Sequence, residues 1–510
     1  MTIDLIARVG IRSRNEDKNR IAKDGWPGWI DAQLALPAED SGDVRDAINS
    51  AKLSIEYAAG EGHGAVKEER PLSLLRKSVP DLWHLVDWEK KMGWEERVRP
   101  ADELAAATHL RTALTDAQLR EAVTDFWRDH FSVNRDAVED VAVALPAYDQ
   151  NVLRQHALGN FRELLEAVAT STAMLAYLNN ASSKASPANE NYARELFELH
   201  TLGVNAYFND KYDRWRDVPG ADDGTPEGYI DEDVYEAARA FTGWTYQSGQ
   251  WIAEGEVLQK TGQFHYLDKW HDPYQKRFFA SEVPPYQPPM SDGRKVLDIA
   301  AFHPATAMHI ASRLCIRFVS DAPSDGLVRS TAQVFRDHHQ SADQMAKVIR
   351  HILLSEEFAA APPRLQRPHF LFASLQRVSA TVLPPSSDFD WMLEGMGHKL
   401  YRWPSPAGHP LKSGYWQSPG LLVRRWRMIN EFWQKIMAAN VNREWPSLNA
   451  FVEEWAGPLN ASDKHKARAV TILRDQFGAE ERGISFKPDD RWVAAQALSF
   501  LTATHNFQAV

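Results

Sequence analysis

Asn160-Phe161-Arg162-Glu163-Leu164-Leu165-Glu166-Ala167-Val168 is the stretch from which the fold can be read. Phe161, Leu164, Leu165 and Val168 keep the three- and four-residue spacing of one helix face. Asn160 stands where its side chain would cap the first turn, with Glu163 at the capping-box position. The same grammar recurs. Ser341 with Gln344 precedes the apolar series Met345, Val348, Ile349, Ile352 and Leu353, and Pro304 after His303 suits the first position of a helix running through Phe318. Strict alternation over strand length is scarce, so the spacing predicts a mainly α, multi-helix globular assembly. Three stretches interrupt it: 205–230, rich in Asp, Gly and Pro; 245–295; and 403–420. Their aromatic content (Trp251, Tyr266, Trp270, Tyr274, Trp403, Tyr415, Trp416) favours long ordered loops, and ordered loops of that length are often functional.

At 510 residues the chain exceeds the roughly 250–300 residues at which one core stops growing. Three regions are expected: an N-terminal helical region over 1–118, a central helical region over 119–380, and a C-terminal helical region over 381–510 packed on it. With 44% hydrophobic and 25% charged residues the composition is that of a globular protein, and there is no run of about 18 apolar residues to span a membrane. The net charge of −11 argues against nucleic acid as partner. The one basic run, Arg424, Arg425 and Arg427 around Trp426, reads as a solvated helix face beside a buried Trp. Cys315, the single cysteine, lies in the apolar series Ala307, Ile310, Ala311, Leu314 and Phe318 and is expected to be an inert packed thiol. Met1-Thr-Ile-Asp-Leu-Ile-Ala-Arg8 has no basic segment followed by an apolar one, so the cytoplasm is the expected location unless a leader has been removed. Gly60-Glu-Gly62-His-Gly-Ala65 loosely matches a dinucleotide fingerprint, but the segment before it, with Ile48, Leu53 and Ile55, reads as helix where that motif needs a strand.

Chemistry is sought where polar groups fall inside an apolar helical arc. In Asn191-Tyr-Ala-Arg-Glu-Leu-Phe-Glu-Leu-His200 the arc is set by Tyr192, Ala193, Leu196, Leu199 and Leu202; Glu195 and His200 fall inside it, Arg194 opposite, and Glu198 at its margin. An inward Glu needs a cation, a metal or a donor network, or else holds its proton. His130 lies with Leu119, Val123 and Phe126. Asp233 lies in the arc of Val234, Ala237, Ala240, Phe241 and Trp244, although Asp233 and Glu236 also read as a helix cap with its N3 partner. In the following loop His271-Asp272 sits among Tyr266, Trp270 and Tyr274.

Three readings follow. The leading one is a hydrolase acting on a glycoside or another polar polymer. In it Glu195 is the acid, Asp233 or Glu198 the base, Arg194 or Arg239 orients them, and Trp244, Tyr266, Trp270, Trp403 and Trp416 bind a small-molecule or carbohydrate substrate. The second is a metal-dependent oxidoreductase holding a divalent ion on His130, Glu195, His200, His271 and Asp272. The third is a non-catalytic scaffold whose Glu and Arg residues form buried ion pairs.

Several of these segments also resemble the DUF1800 family. They read FWRDHF (126–131), LRQHALGNFRELL (153–165), AMLAYLNN (173–180), NENYARELFELHTLGV (189–204), DEDVYEAARAFTGW (231–244), the His271-Asp272 loop, and HPATAMHIASRL (303–314). Arg402-Trp403-Pro404 through Trp416 and Arg424 resembles the family's C-terminal segment. The resemblance implies a helical bacterial protein, in many members exported. The chain departs from the pattern in lacking a visible export signal and in carrying an acidic insertion over 205–228.

Overall fold

A computed structural model describes residues 5–478 and 482–509. The protein is mainly α, with only small two-stranded antiparallel sheets among the described residues. No helix among them is long and apolar enough to cross a membrane. The local signals act as their chemistry dictates. Asn160 Oδ1 accepts the N–H groups of Arg162 and Glu163 at 2.9 and 3.3 Å at the head of the Phe161–Ala169 helix. Pro304 opens the Pro304–Phe318 helix, and His303 Nδ1 accepts the Ala305 N–H at 3.1 Å. The third start differs: the helix runs Gln344–Leu353 and Ser341 does not cap it. Gln344 instead reaches across, accepting the Phe161 N–H at 2.9 Å and donating to the Phe335 carbonyl at 2.8 Å, so one side chain locks three helices together.

One apolar core runs continuously from Ile6 to Tyr401, and a second, from Leu371 to Phe507, holds the C-terminal helices together. The Pro368–Ser379 helix serves both, giving Phe370 and Ala373 to the first and Leu371, Phe372 and Leu375 to the second. Each buried Phe or Leu among them contributes about 1.5–3 kcal/mol. The Gln118–His130 helix is buried on every side.

Four expectations need correction or sharpening. The 245–295 stretch is not simply loop: Trp244–Ser248 pairs with Lys260–Tyr266, with Trp244 opposite Tyr266 and Tyr246 opposite Phe264. Lys52–Tyr57 is a strand rather than helix, but it returns antiparallel as Val66–Pro71, so the Gly60–His63 stretch is a hairpin tip and not the strand-to-helix turn of a dinucleotide site. In the basic run the roles are exchanged. Trp426 is 48% exposed, whereas Arg425 is 2% exposed and bonds Gln508 Oε1 and the Gln366 carbonyl, each at 2.5 Å. Cys315 is buried 3.7 Å from Thr331 Oγ1, and burial pushes its thiol up to about 11, which keeps it protonated and inert.

Candidate functional site

The helix Asn191–Glu195 continues as a π-helical turn, Leu196–His200, in which Thr201 Oγ1 donates back to the Leu196 carbonyl at 2.5 Å. Inserted π turns re-aim side chains and recur at functional sites. Glu195 and Glu198 flank the transition. Both are half-buried, and neither makes a hydrogen bond or ion pair among the described residues. Burial raises the Glu195 carboxyl above the usual carboxylate range and Glu198 adds to the effect, Arg194 only partly opposing it. Arg194 is spent elsewhere, on Asp231 at 3.1 Å and Glu190 at 3.5 Å. The Tyr177 phenol lies within electrostatic reach of Glu195, and that of Tyr229 within reach of Glu198.

The histidines face a different space. His130 and His200 are buried with ring centroids 6.2 Å apart, and His309, 6.1 Å from His130, joins them. His130 Nε2 faces the His200 carbonyl at 3.1 Å and His309 Nε2 the Leu199 carbonyl at 3.1 Å, while both His200 nitrogens are unpartnered. Burial, with Arg313 nearby, pulls His200 down to about 3 and His309 to about 4, so the trio is neutral.

His271 and Asp272 belong to a third cluster. Arg239 grips Asp272 through two bonds, at 2.7 and 3.1 Å, and holds Glu236 at 2.8 Å. Thr242 Oγ1 accepts the Asp272 N–H at 2.8 Å and donates to the Arg239 carbonyl at 2.6 Å, while the Thr242 carbonyl lies 3.0 Å from His271 Nδ1. His271 Nε2 and Lys276 Nζ both reach Asp292 Oδ2, at 3.3 and 2.7 Å. Gly243, at φ +80°, has no room for a Cβ, which would lie 2.6 Å from the Leu267 carbonyl oxygen. The Ala-Arg-x-x-Thr-Gly-Trp and His-Asp segments are therefore two halves of one interlock.

The five residues expected as one ligand set thus lie in three environments. Among the described residues no group of three or more His, Cys, Asp and Glu side chains is arranged to hold a metal ion. Asp233 is buried, but it is the third residue of the Asp231–Ala240 helix rather than its cap. Its oxygens accept the N–H groups of Ile230 at 2.9 Å and Phe279 at 2.7 Å. Burial outweighs those two donors and pushes it up to about 6. Of the aromatic residues, Trp244 is fully buried with its ring over Gly293, Trp270 is covered by Lys184 at 4.1 Å, and Trp416 by Arg367 at 5.1 Å. Tyr266 and Trp403 keep part of their rings accessible.

Sequence reasoning passed over a further polar centre in the FWRDHF segment. Asp129 Oδ1 takes a bond from His409 Nδ1 at 2.8 Å, and Asp129 Oδ2 lies 2.5 Å from Arg367 Nη2. The Lys399 N–H donates to His409 Nε2 at 3.0 Å, which fixes the neutral tautomer with its proton toward Asp129. That second bond occupies the nitrogen a general base would use, so the pair positions structure. A wheel could not have found it, because a helix buried all round has no polar arc to mark an intruder.

No curated protein and no solved structure matches the chain. A family model described as "Protein of unknown function (DUF1800)" matches residues 4–509, nearly its whole length, and the interlocked segments lie within that match. The chain belongs to the DUF1800 family.

Proposed function

We propose that the protein is a hydrolase in which Glu195 donates and Glu198 accepts the proton, acting on a glycosidic bond or a comparable bond of a polar polymer. The observation that carries this is the isolation of the pair. Arg194, Arg239, Asp231, Asp272 and Glu236 are all committed to ion pairs, whereas among the described residues Glu195 and Glu198 make no ion pair or hydrogen bond and Arg194 acts on Glu195 only from a distance. An unpaired, partly desolvated carboxyl such as Glu195 holds its proton to higher pH, which suits the acid of a carboxylate pair in acid–base hydrolysis. Asp233, with both oxygens on backbone N–H groups, leaves Glu198 as the base. Tyr266 and Trp403 offer the accessible rings on which sugars stack.

The test is a screen of glycosides and polysaccharides with the wild-type chain, Glu195→Gln and Glu198→Gln. Loss of roughly a hundredfold or more in kcat for each variant is expected. In wild type the falling limb of the pH profile should lie above the ordinary carboxylate range. Equal turnover in all three proteins would remove the reading. The scaffold alternative draws on the buried charge networks, in which Glu121, Arg128, Asp149 and Arg154 form closed pairs, and it predicts no activity for any of the three.

A further inference from the structure

Four arginines, Arg8, Arg317, Arg364 and Arg367, line one solvent-open cleft with a cavity volume of about 50 Å³. They come from the N-terminal helix, the last turn of the Pro304–Phe318 helix and the segment leading into the Pro368–Ser379 helix. Three carboxylates answer four guanidinium groups. Asp125 is shared by Arg317 at 3.2 Å and Arg367 at 2.8 Å, Asp129 meets Arg367, and Asp321 meets Arg364 at 2.9 Å. Arg8 meets no carboxylate among the described residues; it donates to the carbonyls of Phe358 and Ala361.

Arg317 is the least satisfied of the four. Its side chain is 8% exposed, its one polar partner among the described residues is the shared Asp125, and its Nε is buried with no acceptor among them. The Nε atoms of Arg8 and Arg367 are likewise unpartnered. Burial outweighs Asp125 and pulls the Arg317 guanidinium down to about 10, with Arg367 and Arg364 pushing the same way. A desolvated guanidinium facing so few carboxylates is costly to keep, and the planar N–H forks of its terminal nitrogens match oxyanions.

We propose that this cleft is a binding site for a small oxyanion, a phosphate, sulfate or carboxylate group, received by Arg317 and Arg8 with Arg364 and Arg367 completing the positive wall. The bound anion supplies the fourth negative charge. The site shares no residue with Glu195 and Glu198, and the proposal stands or falls apart from the hydrolase reading.

The full chain is titrated with inorganic phosphate, sulfate and acetate, and with chloride at matched ionic strength, following melting temperature and Trp fluorescence, to which Trp416 in the cleft wall contributes. A saturable response to at least one oxyanion and none to chloride is expected, and the three probes separate the tetrahedral anions from a carboxylate. Arg317→Gln should weaken the apparent affinity at least about tenfold. Arg8→Gln should weaken it too, and carries the comparison should Arg317→Gln fail to fold. A response that follows ionic strength alone, or equal affinity in wild type and both variants, overturns the proposal.

Discussion

Replacing Glu195 by Gln removes a charge that no cation depends on, so stability should change by no more than about 0.5 kcal/mol while turnover collapses. That is the opposite of what a structural ion pair would show, since breaking a buried pair leaves its partner stranded. Urea midpoints of the two proteins check it. Asp233 behaves differently. Its folded value of about 6 lies above the ordinary aspartate value of about 3.9, so the folded state binds the extra proton. Its contribution is therefore fully present below about pH 4 and is lost as pH rises through about 6. Asp233→Asn should flatten that slope. It should also cost about 1–2 kcal/mol, because the Asn amide group cannot accept the second of the N–H groups of Ile230 and Phe279. Midpoints across pH 4–7 read both effects.

At the scale of elements, the turn after the Asp231–Ala240 helix is the most constrained feature of the family segments. Gly243→Ala places a Cβ against the Leu267 carbonyl at a backbone conformation that side chains avoid, and should cost about 1–3 kcal/mol, read as a lower denaturant midpoint with an unchanged slope. Thr242→Val removes the hydroxyl that ties Asp272 to Arg239 and should cost a similar amount. How far elements were legible depended on where their partners lay. Asn160 and His303-Pro304 act within their own first turn, so neighbouring residues disclose them. Gln344 bonds Phe161, 183 positions away, and nothing local to it announces that. Arg425 follows the same rule: its partners are Gln366 and Gln508, and without them an arginine beside a Trp reads as solvent-facing. Wheels failed at Glu195 for another reason. They assume 100° per residue, and the chain changes to a π turn at Leu196, so His200 is carried to the histidine trio while the two glutamates stay at the margin.

Across the whole molecule the buried ions set the response to acid. Glu121 is fully buried between Arg128, at 2.9 Å, and Arg154. Arg128 also holds Asp149 at 2.6 Å, and Asp149 Oδ1 accepts the Tyr401 hydroxyl at 3.1 Å. Burial alone would push the Glu121 carboxyl up, but Arg128, Arg154 and Arg111 together hold it well below the usual carboxylate range. Asp129 is held down by the Arg367 charge and by the bond it accepts from His409. Carboxylates depressed in the folded state contribute stability that is present above their ordinary values, near pH 4, and is lost as pH falls toward the depressed ones. This slope is opposite in sign to that of Asp233, so stability should pass through a maximum on the acid side rather than fall steadily. Glu121→Gln would take the shared carboxylate from Arg128 and Arg154 in the core that Val123, Phe126 and Leu145 share, leaving Arg128 on Asp149 and Arg154 on the more distant Asp40, at a cost of about 3 kcal/mol. Circular dichroism during acid titration would show its unfolding beginning at a higher pH than in wild type. High salt should change little, since ions this deep are weakly screened. An acid transition in Glu121→Gln that coincides with wild type would mean that the arginines find other partners, and that the network is not what joins the Gln118–His130 helix to the rest of the core.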